Sequence, residues 1–194
     1  MLRTTLVIAV TTIVASACSG APGGGNTRAP SSPTSRASLS SPPATAMGDL
    51  SCEAAVATNV KPPRGYEQIL GVVALPTADS ARRALQAHRD DGAAGLGYFA
   101  KTGLVVRAGS AFDVRLKEDP DRALIGWGDA SAYASAISTT GCAGQGWIAF
   151  AGGFWVKEPG CLRLRVQSHG LQRLVRVGVG APCQGQRPAI RWGG

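Results

Sequence analysis

The sequence lacks the motifs that most often identify an enzyme. It contains no G-x-S-x-G, no phosphate-binding G-x-x-x-x-G-K-[ST] and no H-E-x-x-H. Histidine, the usual general base, occurs only as His88 and His169. His88 lies near Asp90 and Asp91 in the sequence, so a hydrolase site assembled from distant residues around His88 stays open as an alternative. The absences favour a non-catalytic protein.

Metal-binding patterns are also missing. None of the cysteines forms a C-x-x-C pair, which discounts a structural zinc site. Residues 118–121 (EDPD) crowd three acids together, but they lack the ligand spacing of a calcium-binding loop and are better interpreted as a polar turn. The sequence therefore indicates no metal and no cofactor.

No apolar run at the start of the chain is long enough for a transmembrane helix, which needs about 20 residues. Residues 6–14 (LVIAVTTIV) are nearly all apolar, follow a basic start at Arg3 and precede the small residues 15–17 (ASA). A basic start, a short apolar core and small residues before a cut are typical of a secretory signal. We therefore predict that residues 1–17 are a signal peptide and exclude them from the fold.

Cys18 follows this signal directly. Residues 15–18 (ASAC), followed by Ser19 and Gly20, resemble the lipobox of bacterial lipoproteins, with Ala15 where Leu or Val is usual. The resemblance covers only the signal and the cysteine, and it implies a diacylglycerol on the thiol and a cut before Cys18. Two or more acyl chains would hold the protein stably at the outer surface of the cell membrane. The alternative is an ordinary cut after Ala17 and a secreted protein.

The number of cysteines agrees with an anchor at Cys18. An exported protein meets an oxidising compartment, where an even set of cysteines pairs and one of five is left over. Cys18 is the odd one by position, because it lies at the signal boundary. The other four predict two disulfides with three connectivities open, of which Cys52–Cys183 with Cys142–Cys161 is preferred because it would pin both ends of the domain; these candidates are Cys52, Cys142, Cys161 and Cys183.

A linker separates the anchor from the folded part. Residues 18–48 are dominated by Ser, Pro, Gly, Ala and Thr, and Arg28 and Arg36 are their only charges. Such a composition buries too little apolar area to fold and predicts disorder. A flexible coil of this length spans about 30 Å root-mean-square, enough to lift a domain clear of lipid headgroups. Its serines and threonines beside prolines leave O-glycosylation open.

Residues 49–194 predict one all-β domain. Short runs with period-two alternation or β-branched residues are separated by turn signals every 8–15 residues, which favours an antiparallel β-sandwich of the immunoglobulin-like or jelly-roll kind. The glycine pair within residues 147–156 (WIAFAGGFWV) indicates a bulge or corner. Residues 77–90 (TADSARRALQAHRD) predict either one short helix or a structured loop, and residues 129–140 a loop. Three tryptophans within strand patterns are expected in the core: Trp127, Trp147 and Trp155.

Positive charge is concentrated at the end of the chain. Residues 161–194 carry six arginines and no acidic residue, whereas residues 49–160 are close to neutral. Arg163 and Arg165 share one strand face by the period-two rule, and Arg176 is expected beside them if the two strands form a hairpin. Like charges set opposite each other destabilise a sheet, so either nearby acids or an external anion would relieve them.

If nearby acids relieve the repulsion, the arginines form a solvated surface with intramolecular partners. If an external anion relieves it, they form an anion-binding face, and outside the cytoplasm the candidate partners are an acidic envelope polymer, phospholipid headgroups or an acidic protein. Basic and aromatic residues are not interleaved, and an exported protein does not meet nucleic acid, so nucleic acid is excluded. The expectation is a lipid-anchored envelope protein with a binding or accessory domain outside the membrane.

Overall fold

The computed structural model describes residues 47–92, 94–129 and 133–190. The predicted signal peptide, Cys18 and almost all of the linker lie outside these ranges. Within the described residues no helix has the length and apolarity needed to span a bilayer. What is described is almost entirely β-structure, with one 3-10 turn at Cys52–Ala54. The predicted all-β antiparallel sandwich with two disulfides is confirmed.

Within these described ranges, fourteen strands form three hydrogen-bonded sheets. Their bounds are β1 Gly48–Asp49, β2 Ala55–Val60, β3 Glu67–Ile69, β4 Val73–Leu75, β5 His88–Asp90, β6 Gly97–Lys101, β7 Leu104–Arg107, β8 Phe112–Leu116, β9 Ala123–Trp127, β10 Ala136–Thr139, β11 Trp147–Phe150, β12 Gly152–Val156, β13 Gly160–Ser168 and β14 Leu171–Val179.

The first layer is the sheet with strand order β1-β10-β8-β13-β14, in which only β1 and β10 are parallel. Its longest strands, β13 and β14, form a nine-residue hairpin. The connecting turn is His169–Gly170, and both residues have positive φ, 48° at His169 and 76° at Gly170.

The second layer consists of the other two sheets, β2-β11-β7-β4-β3 and β5-β6-β12-β9. They share two bent strands: β6 continues into β7 through Thr102 and Gly103, and β11 continues into β12 through Ala151. Strands β6 and β12 pair with each other in the sheet β5-β6-β12-β9, whereas β7 and β11 pair with each other in the sheet β2-β11-β7-β4-β3. The corner predicted near Gly152 and Gly153 is therefore present.

The core lies between the two layers. Alternating residues of β13 illustrate the pattern, since Leu164 and Val166 are fully buried whereas Arg163 is exposed. Phe150 and Phe154 reach the same core from the second layer. The three tryptophans expected in the core are all buried, at 3–9% exposure, but of the three only Trp127 belongs to this core, whereas Trp147 and Trp155 pack in small separate clusters.

The segment 77–90 forms no helix. Its backbone pairs instead with the edge of the first layer: the Leu85 N–H donates to the Gly178 carbonyl at 2.8 Å, and the Gly180 N–H donates to the Leu85 carbonyl at 2.8 Å. His88 then begins strand β5. The apolar stripe of this segment is too thin to stabilise a helix on the surface, so an open strand edge satisfies its backbone better. Of the loop predicted over 129–140, residues 130–132 lie outside the described residues, and the prediction is wrong for Ala136–Thr139, which is strand β10.

The preferred disulfide pairing is wrong. The bonds are Cys52–Cys142 and Cys161–Cys183. Strand β1 pairs with β10, which brings the residues that follow each of them, Cys52 and Cys142, together. Cys161 is the second residue of β13, opposite Gly178 near the end of β14, and the chain turns back after β14 to place Cys183 beside it. All four candidate cysteines are paired, which leaves Cys18 as the one cysteine of the sequence outside these bonds.

Candidate anion-binding face

The three candidate arginines lie on one face of the first layer. Arg163 of β13 is directly opposite Arg176 of β14, and Arg165 is opposite Leu174. The residues between them point the other way, because Leu164 and Val175 are buried in the core. The hairpin therefore gathers Arg163, Arg165 and Arg176 on its solvent side, as the alternation predicts.

Strand β8 adds two further cations that the charge pattern of the C-terminal segment did not reveal. Arg115 is directly opposite Arg165. Lys117 follows β8, and its N–H donates to the Arg163 carbonyl at 3.0 Å. The alternation of apolar and polar residues over 112–117 predicts that Arg115 and Lys117 share one strand face. No pattern in the sequence predicts that β8 pairs with β13. We refer to these five residues as the outer arginine face: Arg115, Lys117, Arg163, Arg165 and Arg176.

Two of the arginines have acidic partners in the same molecule. The Nε of Arg163 lies 3.3 Å from Oε1 of Glu118, which also accepts from the Arg163 backbone N–H at 3.2 Å. Nη2 of Arg176 lies 3.4 Å from Oδ1 of Asp79. Arg163 and Arg176 are both more than 40% exposed, so these pairs are worth little and are screened by salt. Nearby acids therefore offset the charge of two of the three candidate arginines, Arg163 and Arg176.

Arg165 and Arg115 are different. Both are half-buried, and no carboxylate of the described residues forms an ion pair with either guanidinium. Asp113 lies one row further along the same face, opposite Gln167 rather than opposite either arginine. Two unrelieved like charges held across from each other form the part of the face that an external anion would stabilise most.

A cavity of about 280 Å³ lies in the next row of the face. It is bordered by charged groups on one side and by the exposed Leu174 on the other, so an anion with an apolar or sugar backbone fits it chemically. The lining residues are Lys117, Arg163, Leu174, Val175 and Arg176.

The fourth arginine of the hairpin is not part of this face. Arg173 is opposite Val166 in the register, and its guanidinium forms an ion pair with Glu67 of β3. That ion pair joins the end of the hairpin to the second layer. The position of Arg173 is therefore explained by a structural contact between the two layers.

His88, the base of the alternative hydrolase, lies on the edge strand β5. It is exposed, and its ring meets the ring of Phe99 edge-on at 5.6 Å between centroids. The Asp90 carboxylate accepts from Trp155 Nε1 at 3.0 Å and from the Gly92 N–H at 3.1 Å. Among the described residues His88 makes no hydrogen bond to a serine, threonine or acid, so the geometry assembles no triad around it.

The acids of residues 118–121 form a turn. The Asp119 carbonyl accepts from the N–H groups of Arg122 and Ala123, while the Glu118 carboxylate is directed to Arg163. Across the described part of the chain, no three His, Cys, Asp or Glu side chains lie close enough together to hold a metal ion.

No model of a known protein family matches the chain, and no curated protein is detectably similar to it in sequence.

Proposed function

We propose that this protein is a lipid-anchored component of the cell envelope whose β-sandwich, without catalysis, binds an acidic envelope polymer through the outer arginine face. The observation that carries the binding proposal is the directly opposed pair Arg115–Arg165, which has no ion-pair partner within the described residues. The anchor rests on the signal-like start of the chain and on Cys18.

Cysteine pairing supports the anchor. The two disulfides use all four cysteines of the domain, so a thiol at Cys18 has no partner left in the same chain. Acylation would explain why an exported protein keeps this fifth cysteine. The length of the linker then sets how far the arginine face reaches from the membrane, about 30 Å for a flexible coil.

The arrangement of the cations favours a polymer as the partner. The face spans three strands, about 5 Å apart, and two rows of residues, about 7 Å apart along a strand. Arg115 and Arg165 form one row, while Lys117, Arg163 and Arg176 form the next. Successive anionic groups of an extended polymer can meet successive rows, which gives multivalent binding from individually weak contacts. A phospholipid surface and an acidic protein are the other outcomes of the test.

The anchor is tested by mass spectrometry of the mature N-terminus and by fractionation of cells. The expected N-terminal residue is an acylated Cys18, and the protein should be extracted from membranes only by detergent. Cys18→Ser should move the protein out of the membrane fraction while leaving the domain folded. A bare Cys18, or an unchanged membrane fraction in the Cys18→Ser variant, would contradict the anchor.

Binding is tested with the disulfide-bonded domain and three defined probes: inorganic polyphosphate, polygalacturonate, and vesicles that contain an anionic phospholipid. We expect polymer binding that weakens with salt and falls at least about tenfold in the double variant Arg115→Gln/Arg165→Gln. The matched control is Arg64→Gln/Arg82→Gln, which removes the same charge from two exposed arginines outside the face.

An equal loss in both double variants would show that net charge alone is responsible and would overturn the face. Tighter binding to the vesicles than to either polymer would replace the polymer by a lipid headgroup. No binding to any probe at low ionic strength would refute the proposed function of the face and would leave the result for the anchor unchanged.

A further inference from the structure

A second surface lies on the outer side of the sheet β5-β6-β12-β9, in a different sheet from the hairpin arginines. The register places one side chain from each strand in a single row: His88, Phe99, Trp155 and Leu124. The next row on the same face consists of Lys101, Gly153 and Gly126. The first row, which we call the ridge of rings, therefore lies beside a second row in which Gly153 and Gly126 have no side chain, which we call the glycine floor.

The rings are held in fixed positions. Phe99 and Trp155 pack with centroids 4.6 Å apart, and Tyr133 packs against Trp155 at 5.2 Å. The indole N–H of Trp155 donates to Oδ2 of Asp90 at 3.0 Å. Trp155 is 9% exposed and Tyr133 is 7% exposed, so the rings are anchored in a small cluster and present only an edge or part of a face.

A cleft of about 380 Å³ opens between the rings and the glycine floor. This volume lies at the lower end of the range of roughly 300–1,000 Å³ for small-molecule sites. The polar groups that border it are the carboxylates of Asp90 and Asp129, the ammonium of Lys101 and the hydroxyl of Tyr133. Two of these four groups are carboxylates, which accept hydrogen bonds, and they are set beside aromatic walls.

We propose that this cleft binds a neutral saccharide. A sugar ring has an apolar patch of C–H groups that packs on an aromatic ring, and its hydroxyls donate to carboxylates. The Asp90 carboxylate accepts two hydrogen bonds from the protein and keeps lone pairs for a ligand hydroxyl, whereas its charge would repel an anion. The glycines at Gly126 and Gly153 leave room for a sugar ring to approach the sheet closely.

This assignment is independent of the arginine face, because it uses another sheet and requires a ligand of different charge. Together they would let the domain hold a polymer that carries acidic groups at one surface and a neutral glycan at another. Neither site needs the other in order to bind.

The test uses the disulfide-bonded domain and three neutral trisaccharides: maltotriose, cellotriose and tri-N-acetylchitotriose. We expect at least one of them to quench tryptophan fluorescence and to shift the Trp155 indole N–H resonance in a saturable manner. Phe99→Leu, which keeps an apolar side chain but removes a ring, should weaken that binding about tenfold. Trp155→Phe should weaken it similarly.

The matched control is Trp147→Phe. Trp147 is 7% exposed and packs in a similar small cluster, but on the outer face of the other sheet of the same layer. Its substitution should leave saccharide affinity unchanged. The proposal is overturned if no trisaccharide binds at about 10 mM, at the weak limit of small-ligand affinity. It is also overturned if Phe99→Leu, shown to be folded by its melting curve, binds as tightly as the unsubstituted domain.

Discussion

Arg165 of strand β13 lies directly opposite Arg115 of strand β8, and both guanidinium groups are half-buried on the outer face of the first layer. Their neighbours in the next row have Glu118 and Asp79 as partners, but this pair has neither. A cross-strand pair of like charges lowers the stability of a sheet. On the proposed function, an anion bound between the two side chains would remove this cost.

The first prediction concerns that cost. Arg165→Gln should raise the free energy of unfolding by about 0.5 kcal/mol at low ionic strength, because it removes the repulsion from Arg115 and keeps a long polar side chain. The gain should shrink in about 0.5 M salt, where exposed charges are screened. Urea unfolding at the two ionic strengths measures it. Arg64→Gln is the control and should show no gain, and a loss of stability in Arg165→Gln would contradict the repulsion.

The outer arginine face shows which positions the alternation of apolar and polar residues can predict and which it cannot. The period of two in residues 161–167 and 175–179 correctly places Arg163, Arg165 and Arg176 on one side of a hairpin. Pairing between neighbouring strands in the sequence is easy to anticipate, because a short turn leaves few alternatives. The pairing of β8 with β13 is not, because it joins residues about 50 positions apart through the global packing of the layers. Arg115 and Lys117 were therefore missed.

The second prediction concerns the disulfides. Cys52–Cys142 closes a separation of 90 residues and Cys161–Cys183 one of 22. In the chain-entropy model, loss of the first costs about 4.6 kcal/mol and loss of the second about 3.4 kcal/mol. Cys52→Ala/Cys142→Ala should therefore unfold at lower denaturant concentration than Cys161→Ala/Cys183→Ala. Peptide mapping without reduction provides the independent check, and a peptide joining Cys52 to Cys183 would contradict the fold.

The connectivity could not be derived from the sequence for a physical reason. A bond needs two Cα atoms within about 7 Å, and only the strand order decides which pairs meet that condition. The preferred Cys52–Cys183 bond assumed that the two ends of the domain lie together. The parallel pairing of β1 with β10 instead carries Cys52 towards Cys142. For segment 77–90 the choice between a helix and a structured loop stayed open for a similar reason, since the edge of β14 offers its backbone partners that no local pattern shows.

The third prediction concerns the bent layer. A Cβ at Gly153 would lie 2.7 Å from Cε2 of Phe99 and would press on the Ala100 carbonyl, both on the neighbouring strand β6. Gly153→Ala should therefore destabilise the domain by about 2 kcal/mol through overpacking. Gly160→Ala is the control, because its Cβ would meet nothing closer than the Glu158 carbonyl at 3.9 Å. Equal melting temperatures for the two variants would contradict the close approach.

The last prediction concerns the hydrogen bond that fixes Trp155. Asp90→Ala removes the acceptor of an indole N–H that is almost fully covered, so it should cost about 1–3 kcal/mol in the free energy of unfolding. Asp90→Asn keeps an oxygen acceptor and should retain most of that stability. Urea unfolding measures both, and the indole ¹⁵N–¹H resonance of Trp155 should shift much more in Asp90→Ala.

His88→Ala is the control for Asp90, since His88 lies on the same strand but is exposed and meets only the edge of Phe99. Its stability should stay within about 0.5 kcal/mol of the unsubstituted domain. If Asp90→Ala were as stable as His88→Ala, the indole N–H would not depend on this carboxylate. The ridge of rings beside the cleft would then lack the support that a preorganised saccharide site requires.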